Sequence, residues 1–559
     1  MQVYFKTAYP ESENLATPLA EIDESYGWRT VFYTVIGVGI LLRLFHFIDN
    51  RSLFIDEIFL SSSLIRMNFT ELLAPYLDYE QKAPIGFLWL VRACVLLFGK
   101  NEMALRLISL LSGIGSLFLF LPVARYFLKP LGVVVALGIL AMAPPLVYHA
   151  VEIKQYSTEL FATIVAIYLY IRFQQKRDLR SLLLWGISGA AIIWFSYTSI
   201  FILAGMAIGS GLYYLFKKDW PILFRSLIPF TLWLVSFAVN FLLFTGKHAN
   251  SDWLTFWFKN HEAFMPFPPT TASDLKWFIQ TPYKVMHYPL GLLWFSPAIN
   301  FHPMLRIVLR MTLLPLLLLV VGLYQYFKHD KKLFLVMVLP IALHLVASGL
   351  EKYPFFDRLT VYLSPWLILF IARGCEQVSG LLPVQPRFWR FVLPALLLVG
   401  PLVNSVRQVA DTGLFGDYKK SYQREALLYI NDHIQPGDAV YIYWNGLPSY
   451  DFYKNIYPLK YQAIPGQDLR LASTSLEDYF RNLSTDFNKF AGKKRVWLLY
   501  NKHYTVKIGD IYHQPAWYYQ NEAETQKSLE RKFAVMGKEV DSYDAFDVKV
   551  ILYDLTAKN

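Results

Sequence analysis

The feature that most constrains this chain is a succession of apolar runs long enough to cross a bilayer as helices. A membrane-spanning helix needs about 20 mostly apolar residues to cover about 30 Å of hydrocarbon. Eleven spans are predicted, at 30–48, 104–124, 131–149, 155–172, 181–196, 198–216, 226–244, 307–327, 332–350, 358–374 and 391–408. The run at 181–216 is nearly continuous and could form one long tilted helix, but Ser196-Tyr-Thr-Ser199 marks a reversal that divides it.

The composition also favours a membrane protein. Of 559 residues, 55% are hydrophobic and 17% charged, and the mean hydropathy is +0.33, which is too apolar for a soluble protein. The two cysteines, Cys94 and Cys375, lie in or beside apolar runs, so we expect packing residues and no disulfide framework or cysteine metal site. Residues 1–29 are polar and lack the pattern of a signal peptide, so we expect the first span to direct insertion.

The distribution of charge predicts the topology. The short connections 125–130, 172–180, 217–225, 328–332 and 373–390 hold 15 Lys and Arg against 4 acids. By the positive-inside rule these connections are cytoplasmic. The amino-terminal segment 1–29 is then inside, and the first long loop and the residues after 410 are outside. Residues 411–559 hold 19 basic and 19 acidic residues, so the whole excess of +11 belongs to the membrane part, which indicates lipid topology and no nucleic-acid partner.

Two further regions complete the predicted architecture. The first outer loop, 49–103, contains Ile58, Ile65, Phe69 and Leu72 on one helical face, followed by an apolar stretch from Pro84 to Phe98. Both are predicted to be helices lying in the membrane interface. Residues 411–559 combine a helical stretch at 421–434 with strands at 438–443, 495–500 and 548–553. This alternation predicts a soluble α/β domain with a mainly parallel sheet, and it contains no glycine-rich phosphate loop.

An acidic pair in the first outer loop, Asp56 and Glu57, is the first candidate for chemistry. Charged groups so near an apolar span are costly to bury, so carboxylates at this position suggest a functional role. They could also simply face water or cap the following helix. Lys82 lies in the same loop, in Lys82-Ala-Pro84, where the proline is suited to start a helix.

Other candidates lie on the same predicted side of the membrane. Glu152, Lys154 and Tyr156 follow the third span, and Arg358 follows the late loop Tyr353-Pro-Phe-Phe-Asp. A single cation at such a position often anchors lipid headgroups, but acids and bases gathered at one interface suit transfer to a deprotonated hydroxyl with a phosphate leaving. The histidines show no metal-ligand spacing and are interpreted as core or surface residues: His149, His248, His261, His287 and His302. No metal site or cofactor is predicted, although carboxylates alone could bind a divalent cation.

Together these elements resemble the GT-C glycosyltransferases. The resemblance rests on the Asp56-Glu57 pair after the first span, the Lys-x-Pro element at Lys82, the Glu-x-x-x-Tyr stretch ending at Tyr156, and the Tyr-Pro-Phe-x-x-Arg loop ending at Arg358. It covers about residues 30–408 and is strongest for the bacterial branch related to protein O-mannosyltransferases and lipid A aminoarabinose transferases. The tail, with its Pro-Gly-Asp-Ala-Val-Tyr strand, resembles the outer domain of some bacterial members.

The resemblance implies a function and roles for the candidate residues. Such enzymes take a hexosyl or pentosyl group from a polyprenyl-phosphate carrier and transfer it, with inversion, to a lipid, glycan or protein acceptor outside the bacterial inner membrane. It makes Asp56 the base and a ligand of the acceptor, with Glu57 supporting the site. Lys82 and Arg358 would be the ligands of the carrier phosphate. The sugar pocket would then be lined by Glu152, Lys154 and Tyr156.

Two other classes of function remain open on the sequence. Intramembrane charges also mark the pathways of transporters and channels. Against a transporter, the charges cluster at one interface and no inverted repeat is visible. The tail could alternatively be the binding module of a scaffold or receptor. The predicted organisation is therefore a cytoplasmic segment 1–29, a catalytic membrane domain 30–410 embedded in lipid, and an extracytoplasmic domain 411–559.

Overall fold

The computed structural model of the chain describes residues 26–74, 77–248, 252–294, 311, 313–382, 388–490, 492–504 and 515–556. Most of the predicted amino-terminal segment 1–29 lies outside these residues. So do parts of the connection 245–306 between two predicted spans and the start of the predicted span 307–327.

Sixteen α-helices precede residue 411 in the described part of the chain. In order they are α1 (Tyr26–Asp49), α2 (Ile55–Arg66), α3 (Ile85–Phe98), α4 (Glu102–Phe127), α5 (Pro130–Met142), α6 (Pro144–His149), α7 (Tyr156–Phe173), α8 (Leu179–Ile192), α9 (Ser199–Phe216), α10 (Trp220–Leu243), α11 (Asp252–Asn260), α12 (Ala272–His287), α13 (Leu313–His329), α14 (Lys331–Gly349), α15 (Ser364–Leu381) and α16 (Trp389–Ala410). A 3-10 helix, Asp357–Leu363, leads directly into α15.

The prediction of a multi-pass helical membrane bundle is confirmed. Seven described helices are long and apolar enough to cross a bilayer: α1 from Gly27, α4, α9, α10, α14, Asp357–Leu381 and α16. Four further apolar helices are shorter: α3, α5, α8 and α13. Most described residues of the predicted spans lie in helices. The predicted span 131–149 is divided at Ala143 into α5 and α6, and the run at 181–216 is divided into α8 and α9. The count of eleven spans stays a prediction.

Close backbone contact joins α13 to α15 inside the bundle. A Cβ atom on Gly322 would lie 1.8 Å from the carbonyl oxygen of Phe370, and one on Gly374 would lie 1.9 Å from the carbonyl oxygen of Leu318. Because neither helix carries a side chain at its point of contact, the two backbones touch. Small residues serve the same purpose at many helix crossings in membranes. Both cysteines are also packing residues, as predicted, since both are buried free thiols.

The residues after 410 contain a five-stranded sheet. Its strands are β1 (Ala439–Ile442), β2 (Ile464–Pro465), β3 (Arg495–Asn501), β4 (Lys538–Asp544) and β5 (Val548–Asp554). Four α-helices accompany them in the described residues: α17 (Gln423–His433), α18 (Leu447–Tyr453), α19 (Leu476–Phe487) and α20 (Ala516–Met536). The strand order is β2-β1-β3-β5-β4, with β1 parallel to β2 and β3, and β5 antiparallel to β3 and β4.

The expectation of a mainly parallel sheet is therefore wrong. The short connection between β4 and β5 forces those two strands to pair as a hairpin. The hairpin then adds β5 to the parallel core in the opposite direction. That these residues form a separate soluble domain outside the membrane stays a prediction.

Helix α2 is buried within the protein, so its apolar face does not contact lipid, and its position in the membrane interface stays a prediction. Ile58 and Leu64 on α2 belong to the same apolar core as Leu427 on α17 and Val440 on β1. The apolar face of α2 is thus covered by the carboxyl-terminal residues, which the local sequence pattern could not reveal. Helix α3 differs, because it leaves several large apolar side chains exposed, as an interfacial helix does: Trp89, Leu90, Leu96, Leu97 and Phe98.

Candidate functional site

The first turn of α2 sets the geometry of the acidic pair. Phe54 precedes the helix in an extended conformation, and its N–H donates to Oε2 of Glu57 at 3.1 Å. This is the reciprocal half of a capping box, with Glu57 at the third helical position. Both acids lie in the first turn of the helix, where its dipole stabilises negative charge. The one-residue offset along the helix points the two carboxylates in different directions.

Glu57 points inward and is saturated with partners. Its side chain is 1% exposed, its Oε2 lies 2.7 Å from Nη1 of Arg51, and its Oε1 lies 3.7 Å from Nη2 of Arg106. The same Oε1 accepts a hydrogen bond from the N–H of Ile153 at 3.0 Å. Glu57 therefore ties α2 to α4 and to the turn between α6 and α7, and its carboxylate does not face the open part of the site.

Asp56 points the other way and meets Arg358. Its Oδ2 lies 3.1 Å from Nη1 of Arg358, and the two side chains are 26% and 36% exposed respectively. The Arg358 guanidinium also lies 5.9 Å from the ring centroid of Tyr156. Burial acts to raise the pKa of Asp56, but the charges of Arg358 and Lys154 outweigh burial and lower it. Asp56 is thus an ionised carboxylate that remains reachable beside a cation.

Glu152 forms a second acid–base pair nearby. Its Oε2 lies 2.7 Å from Nδ1 of His149, and Nε2 of the same ring is hydrogen-bonded to the hydroxyl of Tyr288. Burial acts to raise the pKa of Glu152, but the hydrogen bond and charge of His149, followed by Arg358 and Arg51, lower it. Glu152 is therefore also a carboxylate, held within the field of Arg358.

Lys154 connects the acidic pair to the segment that carries Lys82. Its Nζ donates to Oε1 of Gln81 at 2.7 Å, so the residue before Lys82 is in direct contact with the site. Burial lowers the pKa of Lys154, while the charge of Asp56 acts to raise it. Lys82 itself is partly buried, and burial lowers its pKa against the opposing charge of Glu80.

The structure thus brings together most of the predicted site residues. Asp56, Arg358, Lys154, Tyr156 and Glu152 interact at one end of the bundle. Lys82 is next in sequence to Gln81, which contacts Lys154. Glu57 is buried beside the cluster and connects the elements that carry it. No cluster of three or more His, Cys, Asp or Glu side chains that could hold a metal ion occurs among the described residues.

A shallow open cleft adjoins the cluster. Tyr288, which contacts His149, lines it, and so does Asp357, the neighbour of Arg358 in sequence. Lys284 and Glu262 add charged groups to its wall, and Trp277 adds an aromatic face. Aromatic surface combined with a few polar groups is typical of ligand clefts.

Sequence reasoning missed several residues of this cluster. His149 is a buried core residue, in agreement with the sequence interpretation, but that interpretation does not include its role in joining Glu152 to Tyr288. Its spacing of three residues from Glu152 was the available signal. Arg51 and Arg106 form ion pairs with Glu57. The sequence near each arginine does not indicate this role, because their partner lies on another element.

The bundle has the fold of the GT-C membrane glycosyltransferases. ArnT from Cupriavidus metallidurans in the apo state matches with a TM-score of 0.51 and 14% identity, over 96% of this chain and 99% of that chain. The same protein bound to undecaprenyl phosphate matches with a TM-score of 0.50 and 13% identity, over 94% and 98%. Identities this low show the fold alone.

A sequence relationship accompanies the fold over part of the chain. The profile of the family described as dolichyl-phosphate-mannose-protein mannosyltransferase matches residues 82–244, which include Lys82, Glu152, Lys154 and Tyr156. No curated protein sequence is significantly similar to the chain. The family match and the fold together relate this multi-pass membrane protein to ArnT and to the protein mannosyltransferases, and they confirm the resemblance drawn from its motifs.

Proposed function

We propose that the chain transfers a sugar from a polyprenyl-phosphate carrier to a hydroxyl group of a lipid, glycan or protein at the outer face of a bacterial inner membrane. The Asp56–Arg358 ion pair is the observation that carries the proposal. It joins residues 302 positions apart and leaves both side chains partly exposed at one end of the bundle. A proton acceptor beside a phosphate-binding cation is the arrangement that such a transfer requires.

The proposed reaction is a direct displacement with inversion. Asp56 accepts the proton of the acceptor hydroxyl, and the hydroxyl oxygen attacks the anomeric carbon. The bond from this carbon to the phosphate oxygen breaks, and its electron pair leaves with the carrier phosphate. Arg358 and Lys82 hold that phosphate, and fixed cations in a partly desolvated site stabilise its growing charge better than water does.

The remaining residues have binding and positioning roles in this proposal. Lys154, Tyr156 and Glu152 line the sugar pocket, which continues past Tyr288 into the adjoining cleft. Glu57 is assigned to positioning, because its carboxylate is occupied by Arg51 and the N–H of Ile153. The likeness to ArnT, one structure of which is bound to undecaprenyl phosphate, supports the choice of a polyprenyl-phosphate carrier.

Transfer of radiolabelled sugar tests the proposal. The full-length protein is reconstituted in vesicles with polyprenyl-phosphate sugars of several kinds and supplied with lipid, glycan and peptide acceptors. We expect label to move from the carrier to one acceptor class. Label that remains on the carrier with every acceptor, accompanied by protein-dependent solute flux across the vesicles, would favour the transporter instead.

A further inference from the structure

A second cleft lies at the opposite end of the bundle from Asp56 and Arg358. Helix α7 begins at the candidate site with Tyr156 and runs for 18 residues, a rise of about 27 Å. Beyond its end, a shallow cleft is lined by the connection after α7, by the last two turns of α9 and by the beginnings of α8, α10 and α14. Its cations lie in three of the basic segments predicted to be cytoplasmic, 172–180, 217–225 and 328–332.

Four cations line this cleft, and no acid does so among the described lining residues. The cations are Lys176, Arg177, Arg225 and Lys332. Two of them are fixed by neutral partners. Nζ of Lys332 donates to Oε1 of Gln174 at 2.9 Å and lies 4.9 Å from the ring centroid of Tyr214. Nη1 of Arg177 donates to the carbonyls of Gln174 and Lys176 at 2.8 and 2.9 Å.

The acids of these connections are engaged elsewhere. Asp178, Asp219 and Asp330 immediately precede α8, α10 and α14, and each accepts a hydrogen bond from a backbone N–H in the first turn of its helix. This is ordinary helix capping. The cleft is therefore lined by positive charge, and the neighbouring aspartates cap helices. This charge distribution makes the cleft suitable for an anion.

Apolar surface beside the cleft indicates that the anion is carried by a lipid. Helices α8 and α10 pack together, and Leu183 on α8 and Trp220, Phe224 and Leu227 on α10 are 39–63% exposed. Such a surface can hold hydrocarbon chains, which free phosphate does not have. We propose that this cleft binds the phosphate headgroup of an anionic lipid, with the lipid chains lying along α8 and α10. Basic pockets between membrane helices recognise such headgroups, and arginine can bind phosphate through two parallel hydrogen bonds.

Binding isotherms with matched variants test this site. The full-length protein carries Arg358→Ala throughout, so that the phosphate site proposed at the other end contributes little. Into this background we introduce Lys176→Gln with Arg225→Gln, two exposed cations of the cleft. The control is Arg180→Gln with Lys217→Gln, which removes the same charge from the same two basic segments, 172–180 and 217–225, at residues that do not line the cleft.

The probes are dioctanoyl phosphatidic acid, dioctanoyl phosphatidylcholine and inorganic phosphate, each in neutral detergent. We expect the cleft variant to bind phosphatidic acid at least tenfold more weakly than the control variant, and phosphatidylcholine and inorganic phosphate to bind weakly to both. Equal affinity for phosphatidic acid in the two variants would overturn the site. If the control variant binds inorganic phosphate as tightly as it binds phosphatidic acid, the cleft recognises phosphate alone, and the proposal that its ligand is a lipid is overturned.

Discussion

At the residue scale, Asp56 and Glu57 show how one step along a helix separates two roles. Asp56 faces the open site and meets a partly exposed cation, whereas Glu57 is buried between two arginines. The sequence predicted the two acids as one pair, because it does not show which way each carboxylate points. Only the position of Arg51, Arg106 and Arg358 in the folded chain distinguishes them, so substitutions of the two should differ in kind.

We expect Asp56→Asn to reduce sugar transfer by about 10²- to 10⁴-fold, the usual contribution of general base catalysis. The volume is conserved and the partner Arg358 keeps contact with water, so the thermal midpoint should change little. The matched control is Asp78→Asn, an acid of the same loop that is 28% exposed and paired with Arg66. Wild-type turnover in Asp56→Asn would remove this residue from the mechanism.

We expect Arg358→Gln to move the acidic limb of the pH profile of kcat/KM to higher pH. Arg358 holds the pKa of Asp56 low in the free protein. Without that charge, the carboxylate becomes protonated at a higher pH, and kcat/KM reports the ionisation of the free enzyme. Arg66→Gln should leave the limb in place. An unchanged limb in Arg358→Gln would show that another group limits the reaction at low pH.

We expect Glu57→Gln to destabilise the fold, because it leaves Arg51 and Arg106 without their buried counter-charge. Removing one partner of a buried ion pair costs about 3–5 kcal/mol. Unfolding followed in detergent should show this loss, whereas Glu71→Gln, which changes an exposed acid of the same loop, should unfold like the wild type. A stable Glu57→Gln protein without transfer activity would instead point to direct participation in the chemistry.

At the element scale, the helices were predictable and their partners were not. Apolar runs determine membrane helices through local length and hydropathy, so α1, α4 and α16 could be placed from the sequence. Strand β2 has only two residues and β4 carries several charges, so neither gives an apolar strand signal. The burial of α2 depends on residues about 370 positions further along the chain, which no local pattern contains.

The crossing of α13 and α15 gives a test at this scale. We expect Gly374→Ala to lower the thermal midpoint, since the added methyl group would lie 1.9 Å from the Leu318 carbonyl oxygen and force the helices apart. Gly380→Ala on the same helix is the control, because its Cβ would meet no atom within 4 Å. Alanine is the better helix former by about 1 kcal/mol, so Gly380→Ala should be neutral or slightly stabilising. Equal midpoints for the two variants would contradict a tight crossing.

At the scale of the whole molecule, the candidate site and the carboxyl-terminal residues lie at the same end of the bundle. The hydroxyl oxygen of Tyr453 accepts a hydrogen bond from the N–H of Leu53 at 2.9 Å, and Arg424 pairs with Glu102 at 2.9 Å. These contacts are immediately beside α2, which carries Asp56. The site and the sheet must therefore be on one side of the membrane, whichever side that is, and the basic cleft is at the other end.

The predicted side is tested with single cysteines in a background in which Cys94 and Cys375 are replaced by alanine. Leu471 is 64% exposed in the carboxyl-terminal region, and Gln175 is exposed in the basic connection after α7. The excess of cations in the short connections predicts that they are cytoplasmic. In intact spheroplasts, an impermeant thiol reagent should label Leu471→Cys and leave Gln175→Cys unlabelled until the membrane is opened. The reverse pattern would place Asp56 and Arg358 on the cytoplasmic side, and transfer at the outer face would then be excluded.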